Sequence, residues 1–102
     1  MIKQGFIYII QTVGTPYYKI GYSTHPIKRR NSLKTGNPFP IRLLNSYPGT
    51  KKEERSLHKY LQKFHRHGAG KEQFTLTKER LQHIVNILED PEKKHPPYNC
   101  KI

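Results

Sequence analysis

Apolar residues fall in short blocks whose spacing changes along the chain. Residues 6–11 read FIYIIQ, a β-branched and aromatic run apolar enough for a strand buried on both faces. Residues 12–16, with Gly14 and Pro16, read as a turn, and YYKIG at 17–21 reads as a second short strand. Two strands so close in sequence make a hairpin the economical arrangement. In STHPIKRRNSL, residues 23–33, Ser23 or Thr24 can cap a helix and Pro26 suits its first turn. The Gly36 and Pro38 that follow end it.

Residues 41–47, IRLLNSY, predict a third strand with Ile41, Leu43 and Tyr47 on one face, and Asn45 breaks the pattern. From Thr50 the chain predicts one long helix, TKKEERSLHKYLQKFHRH, in which Leu57, Leu61 and Phe64 recur at the helix period. Gly68 and Gly70 close it. Gln73–Leu76 reads as a short extended piece. Thr77 then caps a last helix with Leu81, Ile84, Val85 and Leu88 on one stripe. The order β-β-α-β-α-(β)-α predicts an α+β fold, a small antiparallel three-stranded sheet flanked by helices. We assign residues 1–90 to one domain and residues 91–102, rich in proline and without periodicity, to an extended tail.

Charge changes the picture most. Nineteen Lys and Arg against seven Asp and Glu leave +12 on 102 residues, a field that draws in polyanions and speeds their encounter. Nucleic acid is the first candidate partner. A membrane surface is a poorer one, because no long basic helix carries an aromatic or leucine face. The early apolar run is too short for a signal peptide or a span. Cys100 is the one cysteine, so no internal disulfide can form. These features give a cytoplasmic localisation as the expectation, or nucleoid or nuclear by host.

One acid stands out in a chain with few. Glu54 lies three residues before Leu57 and four before His58, so it projects from the core-facing side of its helix or the margin of that side. A carboxylate there is costly unless a cation or hydrogen bonds satisfy it, and Mg²⁺ sites often use only one or two carboxylates. Glu53 points elsewhere and reads as solvent-facing charge. Taken alone, Glu54 fits a surface ion pair equally well. Likewise Tyr8 fits core packing, Lys19 a solvent-facing strand position, Arg29 a general cation and His58 a packed ring.

Their joint order is more telling. Phe6-Ile7-Tyr8, Lys19-Ile20-Gly21, Arg29 eight positions after Gly21, the TGNPFP run at 35–40 and Glu54-x-x-Leu57-His58 together resemble the GIY-YIG nuclease superfamily, in its compact branch with the T5orf172 domain. The resemblance runs from about Phe6 to about Leu88. Lys19 stands where the second motif has tyrosine in many members, and Phe6 replaces the first motif's glycine. Arg30 falls where the branch usually has Leu. Lys71-Glu72-Gln73-Phe74 resembles a later Glu-Trp-Phe pattern, with Gln73 in place of Trp.

The resemblance implies a metal-dependent DNA endonuclease that hydrolyses phosphodiester bonds at a single-metal site. It implies one Mg²⁺ (or Mn²⁺) at Glu54 and catalytic roles for Tyr8, Lys19, Arg29, His58 and Glu54. Tyr8 would position and deprotonate the attacking water. A free phenol ionises only near pH 10 or so, so positive charge from Lys19 and Arg29 would be needed. Lys19 itself offers donors and no acceptor while charged; Tyr17, Tyr18 and Tyr22 are the phenols that can replace the missing one. Lys28, Arg30, Lys34, Lys51, Lys52 and Arg55 are candidates to hold DNA phosphates, contacts that position without reading sequence. The expected partner is double-stranded or branched DNA, met as a monomer or a transient dimer, with no membrane and no small-molecule cofactor. The alternative is a catalytically weak or inactive GIY-YIG-fold DNA-binding module. A third reading is a basic protein unrelated to the family, in which these residues would be scattered in space.

Overall fold

A computed structural model describes residues 4–35, 38–66 and 73–90. The elements are β1 (Phe6–Thr12), β2 (Tyr17–Ser23), α1 (Pro26–Thr35), β3 (Ile41–Pro48), α2 (Lys51–Tyr60), a single 3₁₀ turn (Gln62–Phe64), β4 (Gln73–Thr75) and α3 (Lys78–Glu89). Strands β1 and β2 form the antiparallel hairpin, with Tyr8 opposite Gly21 and Ile9 opposite Ile20. Gly14 turns it at φ 79°, a backbone state that a β-carbon disfavours.

The sheet has four antiparallel strands, not three, in the order β3-β1-β2-β4. The extended piece at Gln73 is a strand because it hydrogen-bonds the outer edge of β2, placing Gln73 opposite Lys19 and Phe74 opposite Tyr18. Three residues are too few to show a period. The Gly68–Gly70 segment and the tail from residue 91 lie outside the described residues.

Alternation sorts the sheet's side chains onto two faces. Ile7, Ile9, Tyr18, Ile20 and Tyr47 pack with Leu57 of α2, with Leu61 just past its end and with Ile84 and Leu88 of α3. Phe6, Tyr8, Ile10, Tyr17, Lys19 and Gly21 therefore point to the opposite face. Helix α1, which contributes nothing to that core, packs against β1, β2 and β3. It covers the second face, where Tyr8 and Ile10 are buried.

Three local expectations need correction. Strand β3 does not present one apolar face: its register on β1 slips between Ile9 and Ile10. Leu43 lies opposite Ile10 and Tyr47 opposite Ile7, on different faces, with Leu44 as the extra residue of a β-bulge. The break at Asn45 was the mark of that bulge. The long helix from Thr50 ends at Tyr60. Phe64 and His65 donate backbone bonds to Leu61 and Gln62, at 2.8 and 3.1 Å, which tightens the chain into a 3₁₀ turn. His65 then bridges Phe74. Finally, neither Ser23 nor Thr24 caps α1. The carbonyl of His25 accepts from Arg29 N, and Ser23 Oγ accepts from His25 N at 2.9 Å, closing a turn ahead of the helix.

The caps of the other helices follow the sequence. Thr50 Oγ1 accepts from Glu53 N, and Glu53 Oε1 accepts from Thr50 N, a reciprocal capping box. Thr77 Oγ1 accepts from Arg80 N at 3.2 Å.

Candidate active site

The hairpin builds one side of the site. Tyr8 is 1% exposed, and its ring lies over Gly21, its cross-strand partner: a β-carbon at 21 would overlap the phenol. The glycine of the Lys-Ile-Gly motif is thus required by the ring across from it. Lys19, opposite Ile10, is half-buried on the same face. Of the phenols that can stand in beside Lys19, Tyr18 belongs to the α2–α3 core. Tyr22 also points to that side, its ring filling the space over Gly5. Tyr17 alone shares the face of Tyr8, and the Arg66 guanidinium sits 3.7 Å above its ring.

Helix α2 builds the other side. Glu53 is not free surface charge, because its carboxylate closes the capping box. Glu54 is 5% exposed, the one charged side chain buried among the described residues. One turn later, the His58 ring nitrogen Nε2 lies 2.7 Å from the Ile20 carbonyl oxygen. A carbonyl only accepts, so Nε2 carries the proton. The His58 ring also rests on Phe74, 5.2 Å between centroids. These contacts fasten α2 along β2 next to Gly21. Residues four apart share a helix face, so Glu54 stands on the same face of α2 as His58.

Tyr8, Lys19 and Gly21 thus share one sheet face. Glu54 and His58 stand together on the helix pinned to the same strand. Arg29 is exposed on α1, the helix that covers the Tyr8 face. Lys28 and Lys34 on α1 and Lys51, Lys52 and Arg55 on α2 are also exposed, open to phosphates. Arg30 differs from them: it is half-buried and turned inward. Gln73, the residue in place of Trp in the KEQF pattern, lies opposite Lys19 and half-buried. Among the described residues no group of three or more His, Cys, Asp or Glu side chains could hold a metal ion.

The fold and charge define a small basic α+β module with a buried carboxylate on the helix that His58 ties to β2 and a buried tyrosine on the opposite face of the hairpin. The chain belongs to the T5orf172 domain family, whose model matches residues 5–89, a domain associated with GIY-YIG-like nuclease-type proteins. The family suggests a nuclease or DNA-binding module. No curated protein and no solved structure matches the chain. No helix among the described residues is long and apolar enough to cross a membrane.

Proposed function

We propose that this chain is a metal-dependent DNA endonuclease that hydrolyses phosphodiester bonds at a single-metal site. The observation that carries the reading is Glu54, buried on a helix that His58 ties to the strand of Lys19 and Gly21. A buried carboxylate is costly to keep unless it serves a cation or a dense set of hydrogen bonds.

Glu54 would be the one protein carboxylate on the ion. That suits Mg²⁺ or Mn²⁺, which retain waters and draw remaining ligands from substrate phosphates, and does not suit a structural zinc site, which needs four protein ligands. When bound there, such an ion would neutralise charge on the scissile phosphate and the leaving 3′ oxygen. Tyr8 orients the attacking water and takes its proton, with Lys19 supplying positive charge on the same face. Arg29 grips the phosphate with a planar fork better matched to an oxyanion than an ammonium is. His58 holds Glu54 in place. The exposed lysines and arginines of α1 and α2 hold duplex phosphates, so binding weakens steeply with salt.

The test is plasmid nicking with Mg²⁺ or Mn²⁺ over a range of salt, wild type beside Glu54→Ala. Metal-dependent nicking lost in the variant supports the reading, and an inert wild type overturns it. A catalytically weak DNA-binding module is the second reading, favoured by one observation: Lys19 stands on the Tyr8 face where an acceptor is wanted. Tight DNA binding without nicking selects it.

A further inference from the structure

The inward stripe of α1 is Pro26, Arg30 and Leu33, spaced four and three residues apart; Ile27, Lys28, Arg29, Asn31 and Ser32 between them are exposed. Arg30 therefore occupies the centre of the stripe that faces the sheet, where the helix period calls for an apolar residue. Its Nε is shut off from solvent and has no hydrogen-bond partner among the described residues. A covered donor on a cation is unfavourable as long as it lacks an acceptor. The face that α1 covers carries Tyr8, Lys19 and Gly21.

A half-buried guanidinium on this face has the properties of an oxyanion receptor. Its planar donors match the oxygens of a phosphate. Lys19 puts a second cation on the same face, so an anion placed there is attracted by both. Arg29, one residue earlier, points into solvent. We propose that Arg30 is a second phosphate-binding residue of the candidate site, reaching the substrate phosphate from the α1 side of the Tyr8 face, while Arg29 grips it from the solvent side. This rests on the nucleic-acid reading above and adds a residue that would hold the phosphate within the site.

The test compares wild type with Arg30→Leu, Arg30→Gln and Arg30→Lys, and with Lys34→Leu as a surface control. Duplex binding is measured without divalent metal across a salt series, inorganic pyrophosphate is titrated as a small competitor, and urea midpoints report folding. Arg30→Leu completes an apolar stripe, so it should fold at least as firmly as wild type. Loss of a charge-assisted contact should weaken duplex binding roughly ten- to a hundredfold and abolish competition by pyrophosphate. Lys34→Leu should only flatten the salt dependence by about one unit. Arg30→Lys should recover part of the affinity and little of the nicking. Duplex and pyrophosphate binding by Arg30→Leu and Arg30→Gln equal to wild type overturns the inference and makes Arg30 a packing residue. If wild type binds and never nicks while Arg30→Leu fails to bind, the phosphate assignment stands and the nuclease reading falls. If both nick alike, the reverse holds.

Discussion

The ring of Tyr8 lies across Gly21, its antiparallel partner, so closely that no β-carbon fits there. Two effects compete in Gly21→Ala. Alanine in place of a strand glycine gains about 0.5–1 kcal/mol from backbone entropy. Overpacking a tight site costs about 1–3 kcal/mol, so the net change should be destabilising. The clash requires the Tyr8 side chain, so Tyr8→Ala with Gly21→Ala should be less harmful than the two single changes summed. A urea-melt double-mutant cycle measures this, with a coupling of about 1 kcal/mol or more anticipated. Simple additivity would remove the steric account of the motif glycine.

Adjacent acids on α2 should give opposite signatures. Glu53 and Thr50 cap the helix, and losing such a cap costs about 0.5–2 kcal/mol. Thr50→Ala and Glu53→Ala should therefore lower the melting temperature and leave nicking per folded molecule intact. Glu54→Gln keeps the cap and removes the buried charge, so it should abolish nicking while duplex binding persists. Equal loss of nicking in Glu53→Ala and Glu54→Gln would contradict this division of labour.

How far the sequence reveals these residues depends on the range of the interaction behind each. Helices α2 and α3 and the hairpin are readable because their signals are local: a cap, a 3.6-residue stripe, two apolar runs close together. Glu54 is readable as inward-facing because Leu57 fixes the face of its helix. Strand β4 is not firmly readable, because it exists through distant partners, the edge of β2 (Lys19 opposite Gln73) and the bridge to His65. The β3 bulge is visible only as a fault at Asn45, since register depends on a strand more than 30 residues away in sequence. Arg30 looks like one more basic residue until the helix is set against the sheet. The link from His58 to Ile20 spans 38 positions, and no local pattern encodes it.

Tyr47 should make the fold sensitive to alkali. Burial raises its phenol above the ordinary value of about 10; a hydrogen bond with Asn45 opposes the shift and the charge of Glu89 adds to it. The folded state thus holds this proton more tightly than the unfolded chain. That contribution is fully present below about pH 10 and is lost as pH climbs through the folded value. Tyr47→Phe has no proton to lose, so its stability should decline less steeply above pH 10 or so. Urea midpoints of the two proteins across that range should diverge; parallel curves would show that Tyr47 is not the group responsible.

His58 separates positioning from proton transfer. Its Nε2–H is committed to the Ile20 carbonyl, so the ring is occupied in tying α2 to β2. Removing the donor in His58→Ala leaves that carbonyl without its partner, at a cost of about 1–3 kcal/mol, and frees the helix that carries Glu54. Stability and nicking should fall together. His58→Gln offers an amide N–H of similar reach but no titratable ring. If His58 acts by position, the glutamine variant recovers most of the stability and the nicking, and the pH dependence of the rate is unchanged. If it relays a proton, the glutamine variant folds as wild type yet cuts poorly, and part of the pH dependence disappears. The committed nitrogen and the packing of the ring on Phe74 favour the first outcome. Denaturation midpoints and pH–rate profiles of the three proteins decide between them.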